Sequence, residues 1–149
     1  MKALLLSVVA GLAVLTSGVR AGELAWHTDL AKAQAKAKAE HKRILINFTG
    51  SDWCGFCIKL QKEVFTTAEF QDYAKKNLVL VEADFPRKKT LPAELKAAND
   101  KLKQQYKVTG FPTLVVLRGD GSKLGEMVGY GGGGPKAVIA RLDGLKGGS

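Results

Sequence analysis

The chain has 149 residues, a hydrophobic content of 46% and a formal net charge of +9 at pH 7, which is the size and composition of one globular domain. Its lysines are spread along predicted helices without interleaved aromatic residues. This pattern is typical of a solvated basic surface, and it predicts no nucleic acid partner.

The first 21 residues have the pattern of a secretory signal peptide. The apolar run ALLLSVVAGLAVL is followed by Val19 and Ala21, small residues at positions −3 and −1 of a cleavage site before Gly22. An uncleaved anchor helix is the alternative, but the run is shorter than the roughly 20 residues that span a bilayer. We therefore predict cleavage at Ala21/Gly22 and a periplasmic or otherwise exported protein.

Beyond residue 21, predicted helices and strands alternate. The helices are expected over 28–41, from Cys54, over about 66–76, over 91–108 and from Pro135; the strands over 43–48 and 78–85 and in a hairpin over 113–130. The alternation predicts parallel crossovers, and the hairpin adds an antiparallel pair to the same sheet. The fold class is therefore α/β, with one domain around a central mixed β-sheet.

The stretch FTTAEF predicts the start of a helix. Thr66 and Glu69 have the spacing of a capping box, and Phe65 and Phe70 occupy the positions of a hydrophobic staple.

Both cysteines lie in SDWCGFC, at a predicted strand-to-helix turn. A structural staple is a weak interpretation, because Cys54 and Cys57 close almost the shortest loop available and stabilisation falls with loop length. A structural zinc site needs four ligands, and the two histidines, His27 and His41, lie upstream at a spacing that no common zinc motif uses. Two interpretations remain: a copper site formed by the two thiolates, and a redox-active cysteine pair.

The position of the pair favours redox chemistry. Backbone N–H groups in the first turn of a helix have no intrahelical partner, and with the helix dipole they lower the pKa of a cysteine thiol there. Cys54 is thus the expected nucleophile, and Cys57, one turn inward, the expected resolving cysteine. Gly55 leaves the approach open, and Trp53 is expected to shield one side.

Two motifs resemble those of the thioredoxin superfamily. WCGFC is similar to its Trp-Cys-x-x-Cys motif, and TGFPT (109–113) to the loop that carries its cis-proline. Phe56 stands where housekeeping thioredoxin has proline, so the chain looks most like the exported bacterial thioredoxin-like branch. The resemblance implies a thioredoxin-like fold over residues 22–149, with helices on both faces of the sheet. It also implies a Cys54–Cys57 disulfide, thiol-disulfide exchange with protein substrates, and neither cofactor nor metal.

By the same resemblance, the Phe111–Pro112 bond is expected to be cis and to face the cysteines. The cis form of an X–Pro bond costs only about 0.5–1 kcal/mol. The Phe111 backbone would then pair with an extended substrate beside Cys54. An ordinary trans turn proline is the alternative.

The chain departs from the family pattern at two places. Asn47 takes the place of the buried acid that helps to deprotonate the resolving cysteine, and an amide cannot accept that proton. Asp52, Glu82 and Asp84 are the candidates to replace it, although each has an equally good interpretation as a surface or turn acid. The segment 85–105 is longer than in compact members, and either shapes a partner surface or is a tolerated insertion.

The residues between the cysteines bear on the direction of electron flow. Gly55 and Phe56 add no positive charge that would favour the reduced form, so we expect a reductase or isomerase-like protein. It would be a monomer that receives electrons from a membrane donor. A peptide-binding or chaperone module with incidental cysteines, and a copper or zinc carrier, are the alternatives.

Overall fold

The computed structural model describes residues 24–145. The predicted signal peptide, with its cleavage site at Ala21/Gly22, lies outside the described residues. Among the helices within 24–145, none is long and apolar enough to cross a bilayer.

Five strands form one mixed sheet in the order β1-β3-β2-β4-β5. The strands are β1 (Trp26–His27), β2 (Arg43–Thr49), β3 (Leu78–Asp84), β4 (Thr113–Leu117) and β5 (Lys123–Val128). The helices are α1 (Leu30–Glu40), α2 (Gly55–Leu60), α3 (Ala68–Asn77), α4 (Ala93–Gln105) and α5 (Gly134–Gly144), with a π-helical segment at Gln61–Phe65. β3 runs parallel to β1 and β2, whereas β4 is antiparallel to β2 and β5. The predicted α/β class and mixed sheet are confirmed. Of the elements within residues 24–145, the two-residue strand β1, too short to show a period, and the π-helical segment were not predicted.

The sheet divides the apolar core into two layers. Side chains of a strand point alternately to opposite faces, so Leu45 of β2 packs beneath α2, the π-helical segment, α3 and α5. Ile44 and Ile46 face the other layer, where α1 and α4 cover the sheet. Helices therefore lie on both faces, as the resemblance implied.

The capping box predicted at Thr66 and Glu69 is wrong by one residue. The Thr67 hydroxyl accepts the N–H of Phe70 at 3.3 Å and caps α3, which begins at Ala68. Thr66 still belongs to the preceding helix, because its own amide is bonded to the π-helical segment, 3.2 Å from the carbonyl at its start. This wider helical turn takes up one more residue than an α-helical pattern allows for, so the next helix starts later.

Two loops at the same end of the sheet carry the cysteines and the predicted cis-proline. β2 leads through a short turn into α2, and the loop before β4 ends at Pro112. Because β2 and β4 are neighbours, with Phe48 paired to Thr113, these two loops lie side by side.

Candidate active site

Cys54 and Cys57 are joined by a disulfide whose Cα atoms are 5.2 Å apart. Cys54 is the N-cap of α2, and its Sγ accepts the N–H of Cys57 at 3.2 Å. Both residues are buried, with exposed fractions of 7% for Cys54 and 4% for Cys57. The first sulfur thus lies where the amides of a helix begin, and the second lies one turn inside.

The two residues between the cysteines are open to solvent. A side chain at Gly55 would meet no atom within 4 Å. Phe56 is 63% exposed, and Ile58, just after the pair, is 48% exposed. Together these residues form an apolar, accessible approach to the disulfide.

Trp53, the residue before Cys54, is held in place by contacts with three segments. Its indole N–H donates to the carbonyl of Phe85 at 2.7 Å, and its ring meets the edge of Phe111 at a centroid distance of 5.9 Å. Gly50 lies beneath the indole, where an added Cβ would come within 2.5 Å of Trp53 Cε2. A residue with a side chain at position 50 would therefore displace the tryptophan.

The Phe111–Pro112 peptide bond is cis, as the resemblance implied. Pro112 is buried, and its carbonyl accepts the N–H of Gly129 at 2.8 Å, which ties the loop to the end of β5. The backbone N–H and C=O of Phe111 form no hydrogen bond within residues 24–145. They remain available to an incoming chain.

Asp52 is engaged by the loop over residues 86–90. Its carboxylate accepts the backbone N–H groups of Arg87, Lys88 and Lys89 at 2.9, 2.8 and 3.1 Å. These bonds hold the pKa of Asp52 below its usual value, with the Arg87 amide making the largest contribution. The same loop places the Arg87 guanidinium 3.6 Å above the centroid of the Trp53 ring.

Asp84 is engaged in a similar way at the end of β3. Its carboxylate accepts the N–H and the hydroxyl of Ser51 at 2.9 and 2.6 Å, and it pairs with Lys89 Nζ at 2.9 Å. Asp84 is 5% exposed. It joins the turn before the cysteines to β3 and the basic loop.

Glu82 lies in a different setting, in a cavity of about 220 Å³ beside the disulfide. The cavity is lined by Trp26, Asn47, Thr49, Ser51, Cys57, Ile58, Gln61 and Glu82. Glu82 stands opposite Asn47 in the parallel β2–β3 register. Burial raises the pKa of Glu82, and the charge of Asp84 raises it further.

Asn47 shares this cavity and is 3% exposed, yet its side-chain oxygen has no hydrogen-bond partner within the described chain. The carboxylate of Glu82 likewise forms no hydrogen bond or ion pair with residues 24–145. Of the three acids considered as replacements for the missing buried acid, Glu82 alone lines the cavity with Cys57.

The segment 85–105 is an ordered part of the domain. Most of it is α4, and Asn99 on that helix donates its side-chain N–H to the Asp84 carbonyl at 2.9 Å. From α4, Lys103 places its Nζ 5.6 and 5.5 Å from the ring centroids of Phe85 and Phe111. Sequence reasoning did not find Lys103 or Arg87. Both lie in basic stretches, and the residues around them in the sequence do not indicate which aromatic ring each one contacts in the fold.

Within the described part of the chain, no group of three or more histidine, cysteine, aspartate or glutamate side chains is arranged to hold a metal ion.

Comparisons with known proteins agree with this geometry. A thioredoxin-like domain model matches residues 30–143. The chain is 42% identical over 127 residues to the disulfide bond reductase DsbH of Chlamydia pneumoniae, across 85% of this chain and 75% of the relative.

Solved structures give the same result. A DsbH oxidoreductase superposes with a TM-score of 0.77 and 38% identity, covering 92% of this chain and 94% of that one. A thioredoxin from Thermus thermophilus, with a TM-score of 0.60, 19% identity and coverage of 85% and 92%, shares the fold. The chain therefore belongs to the thioredoxin-like family, as a thiol-disulfide oxidoreductase with the CxxC pair Cys54 and Cys57.

Proposed function

We propose that this protein is exported and reduces disulfides in other proteins through Cys54 and Cys57. The observation that carries the proposal is the position of Cys54 at the start of a helix, with its sulfur accepting the amide of Cys57 at 3.2 Å. Two further observations favour reduction over oxidation. A relative of 42% identity is named a disulfide bond reductase, and Gly55 and Phe56 place no charge between the sulfurs.

The first step uses the Cys54 thiolate of the reduced protein. The helix amides that stabilise this anion also make it available near neutral pH. It attacks one sulfur of a substrate disulfide, forms a mixed disulfide, and releases the other substrate sulfur as a thiolate. The unpaired backbone groups of Phe111 would hold the substrate chain beside it.

The second step needs the Cys57 thiol to lose its proton, because the thiolate is the nucleophile. We assign that proton to Glu82, which lines the same cavity as Cys57. The Cys57 thiolate then attacks Cys54 Sγ, reforms the Cys54–Cys57 disulfide, and releases the second substrate thiolate. Two electrons pass to the substrate in all.

The environment of Glu82 suits a group that exchanges a proton. Burial and the charge of Asp84 raise its pKa above the ordinary value for a carboxyl group, which brings it closer to the pKa of a thiol. The unpartnered oxygen of Asn47, opposite in the register, is an acceptor to which a protonated Glu82 can donate.

Export and re-reduction complete the proposal. The sequence of residues 1–21 supports cleavage at Ala21/Gly22, which would leave residues 22–149 as a monomeric domain. Outside the cytoplasm the spent disulfide would be reduced by a membrane dithiol donor. N-terminal sequencing of the exported protein would test the cleavage site.

The reduction potential tests the direction. Equilibration with glutathione should give the Cys54–Cys57 couple a reduction potential of about −270 mV. A potential of about −120 mV, typical of a strong oxidant, would refute the reductase assignment. Insulin reduction tests the activity itself. A rate no higher than that of a free dithiol would favour the peptide-binding alternative.

A further inference from the structure

The rim of the active site is positively charged and is held in place by the fold. This basic rim consists of Arg87, Lys88 and Lys89 on the loop before α4, and of Lys103 on α4. Within residues 24–145, Lys89 pairs with Asp84, whereas Arg87, Lys88 and Lys103 form no ion pair. Three carboxylates, those of Asp52, Asp84 and Glu82, act on Lys89, and the rim's four cations exceed them by one.

Two of these cations lie over rings that flank the reactive residues. Arg87 stacks 3.6 Å above the ring centroid of Trp53, the residue before Cys54. Lys103 Nζ lies 5.5 Å from the ring centroid of Phe111, the residue before Pro112. Positive charge therefore borders both the nucleophile and the backbone groups available to a substrate.

The position of the loop is set by the active-site segment itself. Three consecutive amides, from Arg87 to Lys89, bond to the carboxylate of Asp52, two residues before Cys54. Asp52 is thus engaged by backbone groups, and the Arg87 side chain stacks on Trp53 instead. A charge held in this way costs less to order on binding than one on a mobile loop.

The apolar approach follows, within five residues of the chain, Trp53, the residue over which Arg87 stacks. Phe56 and Ile58, which are 63% and 48% exposed, are two of the large hydrophobic residues that the described chain leaves open to solvent. A ligand that complements both features must join apolar contacts to negative charge.

We propose that the basic rim selects substrate segments in which the disulfide cysteine is flanked by aspartate or glutamate and by an apolar residue. The inference rests on the proposed reductase function and names the class of protein segment that this site prefers. Oppositely charged surfaces raise the association rate and favour one partner over another. Such a segment would lie along Phe111 with its carboxylates toward Arg87 and Lys103.

The test compares three peptide disulfides that are identical except for flanking glutamate, glutamine or lysine. For the unaltered protein at low ionic strength, kcat/KM should be roughly tenfold higher for the glutamate than for the lysine peptide, the size expected for two or three solvent-accessible ion pairs. The preference should shrink at 1 M salt, where the Debye length is about 3 Å.

Paired substitutions locate the effect. The double variant Arg87→Gln, Lys103→Gln should bring the ratio of glutamate to lysine rates close to one. The double variant Lys101→Gln, Lys136→Gln carries the same change in net charge on exposed positions of α4 and α5, and it should keep the ratio of the unaltered protein.

Several outcomes would overturn the inference. One is that the three peptides are reduced at equal rates. Another is that the control variant loses the ratio of glutamate to lysine rates as fully as the rim variant does. A third is that the peptide rates do not depend on charge, whereas binding to vesicles of anionic lipid depends on the rim. Failure of the proposed function looks different, because then the glutamine peptide is not reduced either.

Discussion

The two sides of the Cys54–Cys57 disulfide use their carboxylates in opposite ways. On the loop side, Asp52 and Asp84 accept hydrogen bonds from backbone amides and from Ser51, and thereby attach neighbouring segments. On the cavity side, Glu82 accepts none from residues 24–145. Glu82 and Asp84 are only two residues apart on β3 and face the same layer. The difference therefore comes neither from the strand on which they lie nor from the type of side chain.

The difference shows how partners decide what an acid can do. A carboxylate with several donors is stabilised as an anion and serves as a fixed acceptor. A buried carboxylate without donors is destabilised as an anion, so it takes up a proton more readily. We infer that the loop side sets geometry and that the cavity side handles the proton.

Substituting each cysteine breaks the site most completely. Cys54→Ser should abolish disulfide reduction and trap no substrate, because it removes the attacking sulfur. Cys57→Ser should also lose turnover but accumulate mixed disulfides, because the first step proceeds and the second cannot. Mass spectrometry of non-reduced complexes measures this, and equal trapping by the two variants would contradict the assigned roles.

Asp84→Ala tests the loop side. It leaves the partly buried amide and hydroxyl of Ser51 without their acceptor, the buried carboxylate of Asp84, and we expect a loss of about 3 kcal/mol in the free energy of unfolding. Urea denaturation of the full domain measures the loss. Asp100→Ala removes a carboxylate that pairs with Lys96 on the surface and should cost less than about 1 kcal/mol; a similar cost for both would show that Asp84 is not a structural anchor.

Glu82→Gln tests the cavity side. The resolving step should slow by roughly tenfold or more near neutral pH, because the Cys57 proton loses its acceptor. Stopped-flow release of substrate from the mixed disulfide, followed across pH, measures the step. Moving the carboxylate to the neighbouring strand, with Asn47→Asp in the Glu82→Gln background, should restore part of the rate, whereas Glu94→Gln on exposed α4 should leave it unaltered. A resolving rate independent of Glu82 would sink the assignment.

The same variant has a defined effect on stability. Because the folded-state pKa of Glu82 is raised, its charged form is disfavoured in the fold, and the stability present below the ordinary carboxyl pKa is lost as pH rises through the folded pKa. Glu82→Gln should therefore stabilise the protein at neutral pH, and the gain should vanish in acid. Denaturation at pH 3 and pH 7 compares the two.

Asp52→Asn should have the smallest effect. The folded-state pKa of Asp52 is lowered, so its contribution is present above the ordinary aspartate pKa and is lost as pH falls through the folded value. In the variant the loop should be loose at every pH. In the unaltered protein it should loosen only in acid. Amide hydrogen exchange at Arg87, Lys88 and Lys89 measures it, and unchanged protection would show that the loop is held by other contacts.

The sequence by itself was enough for the features that depend on local chemistry. The alternation of helices and strands follows from short-range apolar periods, and the pairing of Cys54 with Cys57 joins residues three apart. The cis bond before Pro112 was implied by the resemblance of a five-residue motif to that of the thioredoxin superfamily. Each of these features depends on residues that lie close together along the chain.

Only the tertiary structure decided which acid lies beside Cys57 and which cations border the site. Asp52, Glu82 and Asp84 were equivalent candidates in the sequence, and the β2–β3 register placed Glu82 opposite Asn47. That register is set by the packing of two core layers from distant parts of the chain. Likewise, the start of α3 at Ala68 depended on the π-helical turn before it. The physical reason is that burial and hydrogen-bond partners come from segments far apart in sequence, and these partners decide whether a carboxylate holds a loop or takes a proton.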